Sequence, residues 1–257
     1  MSARASTTTA VSERLACANN LLLVNAAHPL ANPPGSRELA AVPLDGPRTL
    51  LDAAAARALA ALLASIEGRE GIVAVSGFRS HAEQQDIWNR SLADNGEAFT
   101  RTYVAVPGCS EHESGLAIDL AERAENVDFI RPSFPYDGVC GAFRARAARY
   151  GFIERYGRDK EDVTGIGWEP WHFRYVGHPH AALMEARGEA LEEYLAFLRE
   201  ETSLARPLAW RGEGIDCAVL YVDAVEAEGA LAMLPERGTW SASMTNTGGI
   251  VLVGRAR

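Results

Sequence analysis

A mixed α+β architecture is what this sequence predicts, and three patterns carry that reading. Apolar residues recur at helical spacing over 49–66 and again over 180–201. Short apolar runs at 71–75, 115–121, 151–156 and 171–176 alternate with such segments in the manner of buried strands. Beyond Pro207 the character changes to short strand-like segments separated by turn residues. The expected organisation is an N-terminal arm or weak helix over 1–18, a main α+β domain over 19–204, and a small β-rich C-terminal subdomain over 205–257.

Taken in order, Leu21–Val24 reads as a short strand, followed by a Pro/Gly/Asn-rich loop through Pro47. Leu50, Leu51, Ala54, Leu59, Leu62, Leu63 and Ile66 keep the spacing of one helix face, which Gly68 stops. Residues 71–75 form a buried strand, and Ser80 caps a helix expected to end near Leu92. The polar stretch 93–110, closing on Pro107-Gly108, reads as a surface loop bordering a cleft. A strand over 115–121, a helix over 137–150, a strand over 151–156, a charged turn over 157–162, a strand over 171–176 and a long helix over 180–201 follow. In the tail, 215–225, 229–234, 239–245 and 249–254 read as strands.

The 257 residues carry 25 Lys+Arg against 34 Asp+Glu, a net charge of −9. That balance, without a basic cluster, argues against nucleic-acid or anionic-lipid partners, which need Lys/Arg to displace counterions or meet headgroups. The single early apolar run, 21–24, falls far short of the roughly 20 residues of a membrane span, so no span and a cytoplasmic location are expected. Cys17, Cys109, Cys140 and Cys217 are scattered without a C-x-x-C pair and read as reduced thiols.

Chemistry concentrates in three segments: Ser76–Ser80 (SGFRS), Ser110–Asp119 (SEHESGLAID) and Trp168–His172 (WEPWH). Catalytic zinc takes three ligands from His, Asp and Glu and keeps a fourth position for water. His112, Asp119 and His172 supply such a set, with Gly115 allowing a tight turn between the first two. Asp119 among apolar strand residues is conspicuous because an unpartnered carboxylate is costly to bury. Glu169 lies three residues before His172. In a regular strand the two would face opposite sides, so sharing a site demands a bend at Pro170. A carboxylate beside a metal-activated water is suited to general-base work. Neither G-x-S-x-G nor S-x-x-K accompanies the serines, and H-E-x-x-H is missing, which argues against serine peptidases and thermolysin-like enzymes. His178-x-His180, after Gly177, reads as a helix entry rather than a metal pair.

The motif S-x-H-x-x-G-x-A-x-D with a downstream E-x-W-H, preceded by SGFRS, resembles the zinc D,D-peptidases of the VanX/VanY/VanXY type. These process D-Ala-D-Ala termini in vancomycin resistance and peptidoglycan metabolism. The likeness extends to LLLVNAAHPL (21–30) and YGFIERY (150–156), covering roughly residues 19–200. It implies the small α+β zinc-peptidase fold shared with hedgehog-type domains. By motif it makes His112, Asp119 and His172 the ligands of one Zn2+ per chain, Glu169 the catalytic base and Arg79 the oxyanion stabiliser. Ser110 and Gln84 become substrate-contacting positions, and the partner a small peptide ending in D-Ala-D-Ala. Two alternatives stand beside this: a peptidase of another peptidoglycan bond, such as L-Ala-D-Glu, and a catalytically silent zinc-binding module. The oligomeric state is not legible.

Overall fold

The computed structural model describes residues 15–30, 38–212, 215–235 and 238–255. In chain order the elements are β1 (Ala16–Ala18), β2 (Leu39–Ala41), β3 (Leu50–Asp52), α1 (Ala53–Ser65), β4 (Ile72–Ser76), α2 (His81–Tyr103), a 3-10 turn at Glu111–Ser114, and β5 (Ala117–Glu122). Next come α3 (Gly138–Ala147), a 3-10 turn at Ala148–Tyr150, β6 (Phe152–Tyr156), α4 (Glu161–Thr164), β7 (Glu169–Tyr175), α5 (His180–Arg187) and α6 (Leu191–Glu201). The last are β8 (Leu208–Gly212), β9 (Ile215–Asp223), α7 (Ala227–Ala232), β10 (Thr239–Met244) and β11 (Gly249–Arg255). Two compact units emerge: Val24–Ala190, and the described residues before Val24 together with those from Leu191 onward.

The unit Val24–Ala190 is built on an antiparallel four-stranded sheet, β4-β5-β7-β6. One face carries Ile118, Leu120 and Phe173 into a core with Leu59, Leu62 and Leu63 of α1 and Phe143 of α3. Each such side chain contributes roughly 1.5–3 kcal/mol by leaving water. Phe134, Phe143 and Phe173 meet edge-to-face with centroids 4.9–5.5 Å apart, the arrangement the ring quadrupoles favour. Because strand residues alternate, the opposite face receives the intervening side chains. The register sets Ser76 against Asp119 and Asp119 against His172, so three polar residues distant in sequence form one row across the sheet.

Helix ends follow local chemistry. Asp52 caps α1 by accepting from the Ala54 N–H at 2.9 Å. Ser80 and Glu83 form a reciprocal capping box at the start of α2. Several elements differ from the sequence reading. Leu50 and Leu51 belong to β3, paired with β2, so the first helix begins only at Ala53. Instead of ending near Leu92, α2 runs to Tyr103 through a break at Gly96 (φ 80°, ψ 173°). A glycine adopts that conformation freely, so the chain steps once and resumes its helical path, and 93–103 is helix, not loop. The long helix over 180–201 is two, α5 ending on Gly188 with φ 65°. The charged turn holds the short helix α4.

In the second unit, β1-β10-β11-β9-β8 form a five-stranded sheet, with β1 parallel to β10 and the other pairs antiparallel. Leu220, Val222, Ile250 and Leu252 pack with Ala227, Ala230 and Leu231. Those last three recur at helical spacing, which is why 229–234 belongs to a helix and its end rather than a strand. Residues 21–24 are irregular, with Leu21, Leu23 and Val24 buried: Asn246 accepts from the Leu23 N–H at 2.9 Å and donates to the Leu23 carbonyl at 2.6 Å, taking the place of a neighbouring strand. Of the expected N-terminal arm, 1–14 lies outside the described residues, and Ala16–Ala18 is strand. All four cysteines are free thiols. No helix among the described residues is long and apolar enough to cross a membrane.

Candidate active site

The polar face of the four-stranded sheet meets the 3-10 turn Glu111–Ser114. That turn ends on Gly115 in the left-handed region (φ 71°), and a Cβ there would press within 3.3 Å of Leu39 and 3.4 Å of the Asp52 nitrogen. Gly115 thus swings the chain from His112 back into β5, which carries Asp119. The Arg79 N–H donates to the His112 carbonyl at 3.2 Å, tying the SGFRS segment to the same turn.

His112, Asp119 and His172 converge, with their donor atoms all within 4.8 Å of one another. His112 Nδ1 lies 2.8 Å from the Gly77 carbonyl, which fixes its proton there and leaves Nε2 facing Asp119 Oδ2 at 3.2 Å. His172 Nδ1 lies 3.0 Å from Asp119 Oδ1, while its Nε2 lies 3.3 Å from Glu111 Oε2. The two imidazoles stand edge-on, centroids 5.0 Å apart. Ligands on a tetrahedral zinc are spaced about 3.3 Å apart, and two nitrogens with a carboxylate are a donor set zinc favours. The residues therefore fit the metal.

Charge is distributed unevenly. Burial alone would raise the Asp119 carboxyl, but His112 and His172 outweigh it and hold it far below the usual carboxylate range. Burial would likewise lower His172, yet its hydrogen bonds to Asp119 and Glu111 lift it to about 9, so a metal taken up at Nδ1 would have to displace a proton there. Burial lowers His112. Glu169 behaves oppositely to Asp119: burial, with the neighbouring Asp119 and Glu111 charges, overrides His172 and raises it to about 7. Its Oε2 lies 3.8 Å from His172 Nδ1. The β6–β7 register shifts here, Glu154 pairing with Phe173 but Tyr156 with Glu169, and this irregularity around Pro170-Trp171 turns Glu169 towards the face that holds His172.

Arg79 and Gln84 line the same cleft of about 620 Å³, as do Ser110 and Glu169. Arg79 donates to Gln84 Oε1 at 2.6 Å and to Ser76 Oγ at 3.0 Å, and the Gln84 amide donates to the Ala105 carbonyl at 2.7 Å. Both ends of the Gln84 amide are thus engaged with the protein. Ser110 is buried without a capping bond to the turn it precedes. Sequence reasoning missed Glu111, Arg155 and Arg174, all fully buried: Arg155 Nε lies 2.8 Å and Arg174 Nη1 2.7 Å from Glu111 Oε1. The available signal was an arginine in each of two apolar strands, FIERY and HFRYV. It also missed Glu113, which accepts from Gly108 N–H and pairs with His81. His178 and His180 do not join the cluster.

Comparison with known proteins identifies the family. Residues 48–178 match the family model VanY, D-alanyl-D-alanine carboxypeptidase. The chain is 39% identical over 183 residues, 71% of its length and 96% of the relative's, to the bifunctional D-Ala-D-Ala dipeptidase and D-Ala-D-Ala carboxypeptidase VanXYC of Enterococcus gallinarum. Among solved structures it is similar to the vancomycin-resistance D,D-dipeptidase VanXYg bound to a D-Ala-D-Ala phosphinate analogue, with TM-score 0.82 and 41% identity over 92% of this chain and 94% of that one. It is also similar to the D,D-pentapeptidase VanY of a VanB-type resistance cassette, solved as a point mutant in complex with Zn(II), with TM-score 0.55 and 29% identity over 68% and 98%. Fold, motif and relatives converge: the chain is a mixed α+β peptidase belonging to the VanY family of D-alanyl-D-alanine carboxypeptidases.

Proposed function

We propose that the protein is a zinc-dependent D,D-peptidase that hydrolyses D-Ala-D-Ala and removes the terminal D-Ala of peptidoglycan precursors, with the cytoplasm as its setting and one Zn2+ per chain. The observation that carries this reading is the company Glu169 keeps: a carboxyl raised to about 7 at the edge of a three-donor His/Asp/His cluster, in one cleft with the half-buried Arg79. His112 Nε2, the Asp119 carboxylate and His172 Nδ1 would hold the metal. When bound, zinc supplies Lewis-acid polarisation of the scissile carbonyl and acidifies water.

The chain's own groups do the rest. Glu169, ionisable near neutrality, accepts the proton of the attacking water and returns it to the departing D-Ala nitrogen. The Arg79 guanidinium faces negative charge developing on the carbonyl oxygen, and its fixed charge there favours the transition state over the neutral amide. Gln84 and Ser76 hold Arg79 in that orientation, which makes Gln84 a positioning residue more than a substrate contact. In this reading the Ser110 hydroxyl, which lines the cleft, meets the substrate's terminal carboxylate. Domain 19–204 is the catalytic part in this reading, since every residue with a role lies between 76 and 172.

Purified protein incubated with D-Ala-D-Ala, and separately with a pentapeptide ending in it, is expected to release D-Ala from both. Chelation should stop the release and added zinc restore it. No release from either substrate by zinc-loaded protein overturns the assignment; release from another peptidoglycan bond would move the specificity and keep the chemistry.

A further inference from the structure

We infer that Glu111, clamped by Arg155 and Arg174, is a positioning residue that dictates which nitrogen of His172 is offered to the metal. Zinc can bind either imidazole nitrogen, and the choice is made by the partner of the other one. Glu111 Oε1 is held at 2.8 Å from Arg155 Nε and 2.7 Å from Arg174 Nη1, and Oε2 is thereby aimed at His172 Nε2, 3.3 Å away. None of the three side chains of this clamp is exposed to solvent. An ionised carboxylate only accepts, so the Nε2 position must carry the proton, and Nδ1, beside Asp119, is left as the ligand atom. The other histidine is handled by a different device, since the Gly77 carbonyl holds His112 Nδ1 at 2.8 Å and directs Nε2 inward. The pair is thus set to bind through unlike nitrogens, one by a backbone oxygen and one by a carboxylate that two guanidiniums hold still.

A purely structural role for Glu111, neutralising two buried arginines, makes different predictions. In Glu111→Gln the single amide oxygen is drawn to the arginines, and the amide NH2 is left facing His172 Nε2, a donor where an acceptor stood. The wrong tautomer is favoured. Adding Arg155→Met removes the surplus buried charge and should restore the fold without restoring the acceptor.

The inference rests on zinc binding as proposed above, and the experiment separates the two. Zinc affinity is measured by competition with a chromophoric chelator for the wild-type protein, Glu111→Gln and Glu111→Gln/Arg155→Met, with circular dichroism and thermal melts reporting the fold. The expected result is zinc affinity weakened roughly 10–100-fold in both variants, including a double variant that melts like the wild type. Wild-type affinity in a folded double variant overturns the inference. Nitrogen-15 NMR of the histidine rings in unaltered, zinc-loaded protein gives a second readout that needs no variant to fold. Nδ1 ligation with a protonated Nε2 at His172 supports the assignment, and Nε2 ligation overturns it. Failure of the wild type to take up zinc would overturn the metal reading itself.

Discussion

Glu111 and Glu169 both reach the imidazole of His172, from its two nitrogens, yet the surroundings make them opposite reagents. At the floor of the site Glu111 is buried with two arginines within 2.8 Å, and they overcome the cost of burial and hold its carboxyl far below the usual range. Glu169 is only partly buried and has the carboxylates Asp119 and Glu111 among its neighbours, which with the loss of water around it lift it to about 7. One carboxylate is held in its charged form, which suits the positioning role inferred for it; the other can take up a proton near neutral pH, which suits the base role proposed for it. Residue type is the same in both places, and the count of nearby cations decides the role.

That contrast can be broken at several points. The largest expected effect is on turnover in Glu169→Gln: kcat should fall by roughly 10²–10⁴-fold while zinc content, measured by atomic absorption, stays as in the wild type. Turnover within a few-fold of the wild type would remove Glu169 from proton transfer.

The two glutamates should next separate by the sign of their effect on the metal-free protein. Glu111→Gln leaves two buried guanidiniums short of an anion and is expected to cost about 3–5 kcal/mol in urea unfolding. Glu169→Gln should instead stabilise by about 1–3 kcal/mol near pH 8, because it removes a carboxylate that burial disfavours. The sign with pH follows from linkage: the folded pKa of Glu169, about 7, exceeds its ordinary value of 4.5. The cost of keeping it ionised is therefore complete above pH 7, shrinks as pH falls and vanishes below about 4.5. The stability gap between Glu169→Gln and the wild type should close over that window. Equal effects of the two substitutions would erase the contrast.

The smallest effect is expected from Gln84→Met, which releases Arg79 without touching its charge. A loss of about tenfold in kcat with KM little changed is predicted, since a loosened transition-state contact costs less than a deleted one. A KM effect alone would return Gln84 to substrate binding.

Much of this site is legible in sequence because the residues sit in short, unusual strings: His112 and Asp119 around a turn glycine, Glu169 and His172 around a proline. What the strings do not carry is pairing. Arg155 and Arg174 meet Glu111 across 44 and 63 positions, and only the β5-β7-β6 register brings them under it, so Glu111 reads as an arbitrary residue beside a histidine. The misread helices have local causes. The stretch 93–103 reads as loop because it is polar and carries few periodic apolar signals, yet α2 continues through it with only a kink at Gly96. Gly188 was passed over where it does end a helix. The tail segment 229–234 is too short for its apolar residues to separate strand from helix spacing.

The Asn246 clasp on Leu23 has a consequence for how the molecule is made. Its two partners stand 223 positions apart, and β1 likewise pairs with β10. On the ribosome, residues 24–190 have all their strand partners in hand before β10 and β11 are made. The stretch ahead of them waits for β10 to emerge, so the five-stranded sheet is completed only after the four-stranded sheet has its strands.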